Sequence, residues 1–186
     1  MQEEENILRI LRETRSAIEK NDSFKIKNLS NQTMNTSSLT QDSDNIAVAV
    51  IVYSLSKIIE RQDYKQLPGW NAFYKKILLY LEKSIIDVEK KNYERFREDF
   101  KNIRGSIENL SGKLKKYIKD VLRNAEINKA SRIYEHGISM EQTANLLGIT
   151  LYELADYVGK TGISNTPENK TMDVKQRIKL AMEMFE

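Results

Sequence analysis

Five polar or basic side chains near the end of the chain could take part in binding. Gln142 and Thr150 can each donate and accept hydrogen bonds, and Tyr152 can do so through its hydroxyl group. Lys160 and Thr161 follow in the next stretch and could hold an anionic group such as a phosphate. The chemistry expected of these residues is hydrogen bonding and charge pairing, without covalent catalysis.

Two short helices joined by a turn must position these side chains. Ser139 can cap the first helix, and Gln142, three residues later, can complete a capping box. Ala144 is small enough for two helices to cross closely, and Gly148 permits the positive φ that ends a helix. Thr150 can cap the second helix. That helix would run to Gly159 through Leu151, Leu154 and Val158.

The pattern S-x-x-x-x-A-x-x-L-G-I-T-x-x-x-L, which starts at Ser139, resembles the helix-turn-helix of bacterial and archaeal regulators. The longer stretch ASRIYEHGISMEQTANLLGIT, residues 130–150, is similar to the small antitoxins of prokaryotic toxin–antitoxin operons. Both motifs lie in the last third of the chain, which is the part that the resemblance covers. The resemblance implies that the second helix would lie in the major groove of DNA. Its likeliest contacts to DNA would then be Gln142, Thr150 and Tyr152, with Lys160 and Thr161 on a phosphate.

The second helix is acidic where DNA-binding members of that class carry cations. Neutralising phosphates supplies most of the nonspecific affinity for DNA, so an acidic face is poorly suited to it. From residue 129 to the end, 7 Lys and Arg stand against 8 Asp and Glu. A protein partner for a surface made by Leu151, Tyr152 and Tyr157 is therefore the alternative to DNA. The exposed positions at the start of the helix are Leu151, Tyr152, Glu153, Ala155 and Asp156.

A lysine-rich stretch lies before this region, around Tyr117. It could follow an RNA backbone or meet another anionic partner, or it could simply be a solvated helix face. Tyr117 belongs to an apolar seam, so we expect it to be buried. Glu94, Glu98 and Asp99 lie among cations and are interpreted as surface ion pairs. The basic residues of the stretch are Lys113, Lys115, Lys116, Lys119 and Arg123.

The composition predicts a folded protein without covalent or metal chemistry. A hydrophobic content of 40% over 186 residues is enough for a core. The 30 Lys and Arg against 27 Asp and Glu leave a net charge of +3, which creates no global field toward nucleic acid. The chain has no cysteine, and His136 is its one histidine, so neither thiolate nor paired-histidine sites can form. We therefore predict no enzymatic activity, no metal and no cofactor.

Nothing in the sequence indicates export or membrane insertion. No cationic start is followed by an apolar signal core. The longest apolar run, residues 46–53, is far shorter than the ~20 residues that span a bilayer. We therefore expect a cytoplasmic protein without membrane contact.

Apolar spacing predicts the helices. We expect a first helix that ends near Lys20, and a polar loop or extended segment over residues 22–45. A buried helix should follow over residues 46–59, capped near Ser43 or Asp44, and another over residues 70–88. The seam over residues 93–121 should break at Gly112 into two antiparallel helices, of which the second runs to Glu135. A last helix should begin at Asp173, and no repeat of fixed period is evident.

The sequence thus predicts an all-α protein with two parts. Residues 1–128 would form a helical bundle that includes the polar extended segment over residues 22–45. Residues 129–186 would form a helix-turn-helix domain with a final packing helix. The leading hypothesis is a non-enzymatic DNA-binding regulator that acts as a dimer on two half-sites. The alternatives are a protein-interaction adaptor or antitoxin-like protein, and an RNA- or ribosome-associated helical protein.

Overall fold

The computed structural model describes residues 1, 3–40, 42–110, 112–135, 139–147 and 150–161. Within these ranges the side chains of residues 34–40, 43, 107–108, 132–133, 135, 142, 145–147, 153 and 160–161 are not described. The predicted last helix from Asp173 lies outside the described residues. The same holds for Gly148 and for His136.

The described part of the chain is all-helical, as predicted, and contains no strand. Helix α1 spans Glu4–Glu19, α2 Ser23–Thr40 and α3 Ser43–Glu60. A 3₁₀ helix spans Gln62–Gln66. It is followed by α4 (Trp70–Glu89), α5 (Tyr93–Glu108), α6 (Gly112–Glu135), α7 (Met140–Leu147) and α8 (Leu151–Thr161). None of these helices is long and apolar enough to cross a membrane.

The main hydrophobic cluster contains side chains from each of the six helices α1 to α6. Helix α2 packs chiefly on α3, α5 chiefly on α4, and α6 chiefly on α3, while α1 contacts α2 and α4. The predicted stripe of α4 points inward, because Trp70, Phe73, Ile77, Leu81 and Val88 are each at most 5% exposed. Burying such side chains stabilises the bundle by about 1.5–3 kcal/mol each.

The prediction of a polar extended segment over residues 22–45 was wrong, because Ser23–Thr40 is a helix. Asp22 caps it, since its side chain accepts a hydrogen bond from the backbone N–H of Lys25 at 2.9 Å. Small polar residues let α2 lie close to α3: the Ser30 hydroxyl donates to the carbonyl of Ala49 at 2.7 Å. Packing against a neighbouring helix has therefore outweighed the low helix propensity of Ser, Thr and Asn.

The hairpins α1–α2 and α4–α5 are joined by turns of the same kind. Asn21 and Lys91 each have a φ of 57°. The next residue, Asp22 or Asn92, donates its N–H to the carbonyl five residues earlier, at 2.9 and 2.7 Å. This bond marks a Schellman turn, and the same residue then caps the next helix. The two hairpins also correspond in the core, at a spacing of 70 residues, although no repeat was predicted. The buried residues of α1 and their counterparts in α4 are Ile7 and Ile77, Leu11 and Leu81, Thr14 and Ser84, and Ile18 and Val88.

The predicted turn at Gly112 and the helix to Glu135 are confirmed. Gly112 has a φ of 58° and begins α6. The seam differs at Tyr117, which is 37% exposed, whereas the next residue, Ile118, is fully buried. Tyr117 instead stacks on Tyr64, with ring centroids 5.5 Å apart. The prediction that Tyr117 is buried in the seam was therefore wrong, because its ring stacks on the buried Tyr64 and Ile118 occupies the buried position instead.

A second hydrophobic cluster attaches α7 and α8 to the bundle. Helix α3 contributes to it as well as helix α6, so the two clusters share these helices. The predicted boundary between residues 128 and 129 falls inside α6 and coincides with no loop. The buried members of the second cluster are Ile46, Ala49, Val50, Ala130, Ala144, Leu154 and Val158.

Candidate functional site

Helices α7 and α8 begin directly after Ser139 and Thr150, as the cap residues predicted. The carbonyl of Ser139 accepts a hydrogen bond from the N–H of Thr143 at 2.9 Å. The carbonyl of Thr150 accepts from the N–H of Leu154 at 3.2 Å. Ala144 is 3% exposed, so its methyl group lies in the packed contact as its size suggested. Leu154 of α8 is fully buried in the second hydrophobic cluster and so fixes the helix pair α7–α8 on the bundle.

One side of α8 is displayed to solvent, and we call it the outer face of α8. It consists of Leu151, Tyr152, Ala155, Asp156 and Gly159, which are all exposed. Tyr152 is 81% exposed and Leu151 50% exposed, so the described residues leave a large apolar area uncovered. Among the described side chains of this face none is cationic, and Asp156 is anionic.

The residues predicted to contact DNA lie on or beside this helix pair. Thr150 is exposed directly before α8, and Tyr152 follows in its first turn. Gln142 lies in α7, and Lys160 and Thr161 end α8, but their side chains lie outside the described part of the chain. Helix α8 therefore continues past Gly159, where the sequence predicted its end.

Tyr157 does not belong to the outer face of α8. It is half-buried, and its hydroxyl oxygen accepts a hydrogen bond from the side-chain amide of Asn128 at 3.3 Å. Asn128 belongs to α6. The predicted surface of Leu151, Tyr152 and Tyr157 is thus corrected, because Tyr157 fastens α8 to α6.

The basic stretch lies at the start of α6. Lys113, Lys116 and Lys119 are exposed, whereas Lys115 and Arg123 are half-buried. The Arg123 guanidinium lies 3.3 Å from the carboxylate of Glu126, so part of the positive charge is balanced inside the helix. One face of Tyr117 is covered by Tyr64. The RNA hypothesis for this stretch stays a prediction.

The basic stretch and the helix pair are separate surfaces. Helices α7 and α8 pack against the last turns of α6, where Ala130 and Tyr134 lie. From Lys119 to Ala130 the axis of α6 rises by about 16 Å, at 1.5 Å per residue. The lysines therefore do not supply the cations that the outer face of α8 lacks.

Asp99 is buried between α4 and α5, although the sequence placed it in a surface ion pair. It is 7% exposed, and its Oδ2 atom has no hydrogen-bond partner among the described residues. The pKa of Asp99 is raised to about 6, chiefly by burial. The negative charge of Asp87 and a hydrogen bond between the side chains of Asp87 and Asp99 add to the rise. Lys83 opposes the rise. The burial of Asp99 could have been predicted from its position on the apolar stripe between Phe96 and Ile103.

The described residues contain no group of three or more acidic, histidine or cysteine side chains that could hold a metal ion. Comparison of the chain with protein-family models, with curated proteins and with solved structures found no match.

Proposed function

We propose that this chain is a non-enzymatic regulator that acts by binding, and that the outer face of α8 binds a protein. The observation that carries the proposal is the pair Leu151 and Tyr152, which are neighbours and are 50% and 81% exposed. Tyrosine is enriched in protein interfaces because it brings a large rigid contact area together with a polar end. An exposed leucine beside it adds apolar area that a partner would cover.

The rest of the helix makes this face rigid. Leu154 and Val158, on the opposite side of α8, are at most 2% exposed and lie in the second hydrophobic cluster. Tyr157 is bonded to Asn128 on α6. A face fixed in this way loses little conformational freedom when it binds, which favours affinity.

The exposed side chains indicate the kind of partner. Leu151 and Tyr152 are the large apolar and aromatic side chains of the outer face of α8, and no described side chain there is cationic. We infer a protein partner with an apolar pocket that receives Tyr152.

DNA is the second candidate, and the exposure of Thr150 favours it. Thr150 lies at the start of α8, where a recognition helix presents its first contacts to the major groove. Lys160 and Thr161 would then contact phosphate at the other end of the helix. The acidic Asp156 would have to be offset by cations of a second copy or of other parts of the chain.

The first experiment compares three forms of the purified, tagged chain in capture of partners from a cell extract. These are the wild type, L151S/Y152S, and the control F24S/L79S, which removes exposed apolar residues from α2 and α4. A protein retained by the wild type and the control, but lost by L151S/Y152S, is then purified and titrated against all three. We expect at least a tenfold loss of affinity for L151S/Y152S. Equal affinity of the three forms would rule out the outer face of α8 as the binding surface.

The second experiment selects DNA duplexes from a random pool at ~50 and ~200 mM salt, a range over which phosphate contacts weaken visibly. Enrichment of one sequence at the higher salt, lost in T150A/Y152A, would establish the DNA function. Absence of enrichment at both salt concentrations would exclude it and leave the protein partner.

A further inference from the structure

A cavity of about 220 Å³ lies between α3 and α5. All of its lining residues come from these two helices, whose backbones stay apart because α5 packs chiefly on α4. Its apolar wall joins the two hydrophobic clusters. Ile51, Phe96 and Phe100 belong to the main cluster, whereas Ile46 and Val50 belong to the cluster that holds α7 and α8.

The rim of the cavity is basic. Arg97, Lys101 and Arg104 lie on one side of α5, at the spacing of three or four residues that aligns side chains on a helix. Asp44 is the one acidic residue of the lining. Its two carboxylate oxygens accept hydrogen bonds from Nε and Nη2 of Arg97 at 2.8 and 2.9 Å. The N-terminal ammonium group of Met1 lies 3.5 Å from the same carboxylate, so two cations share Asp44.

Lys101 adds to the excess positive charge of the rim. Arg104 is paired with Glu126 on α6, but Glu126 also pairs with Arg123. Lys101 forms no ion pair or hydrogen bond with any described residue. An apolar wall with an excess of positive charge at its mouth is complementary to a small molecule that has an apolar body and an anionic group.

The volume limits the size of that molecule. An apolar cavity of about 150 Å³ holds one benzene molecule, so a cavity of this volume has room for a ring with a short acidic arm. Phe96 and Phe100, whose ring centroids are 4.6 Å apart, offer aromatic faces and edges to such a ring.

We propose that the cavity between α3 and α5 binds a small aromatic monocarboxylate, with the ring between Ile51, Val50 and Phe100 and the carboxylate on Lys101. Because Ile46 and Val50 also pack against the helix pair, a bound molecule would contact the residues that position α7 and α8. This site is independent of the proposed function of the outer face of α8.

Phenylacetate is the probe, and binding is followed by the methyl NMR signals of the full chain. We expect shifts of Ile46, Val50 and Ile51 and a Kd on the order of 0.1–1 mM, as about ten non-hydrogen atoms allow. Three further probes separate ring from charge: 2-phenylethanol, phenethylamine and acetate. Phenylacetate should bind about tenfold more tightly than 2-phenylethanol, and phenethylamine and acetate should not bind.

Three variants test the site. K101E should reverse the preference, so that phenethylamine binds and phenylacetate does not. A47L, which fills the cavity from the α3 side, should abolish binding while the methyl spectrum stays that of a folded chain. K76Q, at an exposed position of α4, is the control and should bind phenylacetate as the wild type does. Equal binding of all three aromatic probes, unchanged binding in A47L, or no methyl shift up to ~10 mM phenylacetate would each overturn the proposal.

Discussion

The ammonium group of Lys129 lies 4.3 Å from the centre of the Tyr53 ring and 3.1 Å from the side-chain oxygen of Asn31. Lys129 is 2% exposed, so this charge sits inside the fold. Tyr53 belongs to α3 and Asn31 to α2, whereas Lys129 belongs to α6. One side chain therefore connects three helices, next to the cluster that holds α7 and α8.

Truncation of Lys129 should destabilise the protein strongly. K129A loses a buried hydrocarbon stem, the contact with the Tyr53 ring and the bond to Asn31, which together should cost about 3 kcal/mol. K129M keeps the stem and should cost only about 1 kcal/mol. Urea unfolding measures both, with exposed K76A as a control expected within about 0.5 kcal/mol of the wild type. An equal loss in K129A and K129M would contradict a role for the stem.

Substitution by alanine should change the stability of the protein in opposite directions at two glycines. Gly105 lies inside α5, and an added Cβ would meet nothing within 4 Å, so G105A should stabilise by about 0.5–1 kcal/mol. Gly112 has a φ of 58° at the start of α6, and an added Cβ would likewise meet nothing within 4 Å. G112A should still destabilise by about 1–2 kcal/mol, because the left-handed backbone is strained for alanine. Thermal unfolding of both variants decides this, and a shift of Tm in the same direction for both would contradict the backbone argument.

Apolar spacing predicted the helices that have one clear buried side. The stripe of α4 from Trp70 to Val88 is an example, since large side chains recur at helical spacing among charged ones. Helix α2 has no such stripe, and its buried side includes Ser30 and Thr33. These residues are buried because α3 offers a carbonyl and a close surface, and neither can be seen in the sequence of α2 alone.

The candidate site was predictable to a similar extent. Ser139 and Thr150 predicted where α7 and α8 begin, because helix caps depend on local chemistry. The position of Tyr157 against Asn128 depends on how α8 meets α6, a contact between residues 29 apart in sequence. The cavity between α3 and α5 likewise results from the packing of α5 on α4, which no local pattern contains.

The raised pKa of Asp99 predicts how stability depends on pH. Its pKa in the folded protein is about 6, above its ordinary value of 3.8, so folding favours the protonated carboxyl group. The stabilising contribution is complete below about pH 4 and is lost as the pH rises through about 6. At pH 7 the buried charge, facing Asp87 and Glu98 with Lys83 nearby, should cost on the order of 2 kcal/mol.

D99N should therefore stabilise the protein at pH 7 by on the order of 2 kcal/mol, and by much less at pH 4. Chemical denaturation at several pH values between 4 and 7.5 measures the difference between variant and wild type. D120N, an exposed acid on α6, is the control and should show no such trend. A gain for D99N that is independent of pH would show that ionisation of Asp99 is not its cause.

Thr14 and Thr33 are both fully buried threonines, yet they should respond differently to valine. The Thr33 hydroxyl donates to the carbonyl of Leu29 at 3.0 Å, whereas the Thr14 hydroxyl has no partner among the described residues. A buried hydroxyl without a partner loses its bonds to water on folding, which costs about 1–3 kcal/mol. T14V removes that penalty with a group of similar shape and should stabilise by about 1 kcal/mol. T33V gives up a bond and should be neutral or destabilising by about 1 kcal/mol. Urea unfolding of both variants in one buffer compares them directly, and a loss of stability in T14V would mean that its hydroxyl is satisfied in the folded protein.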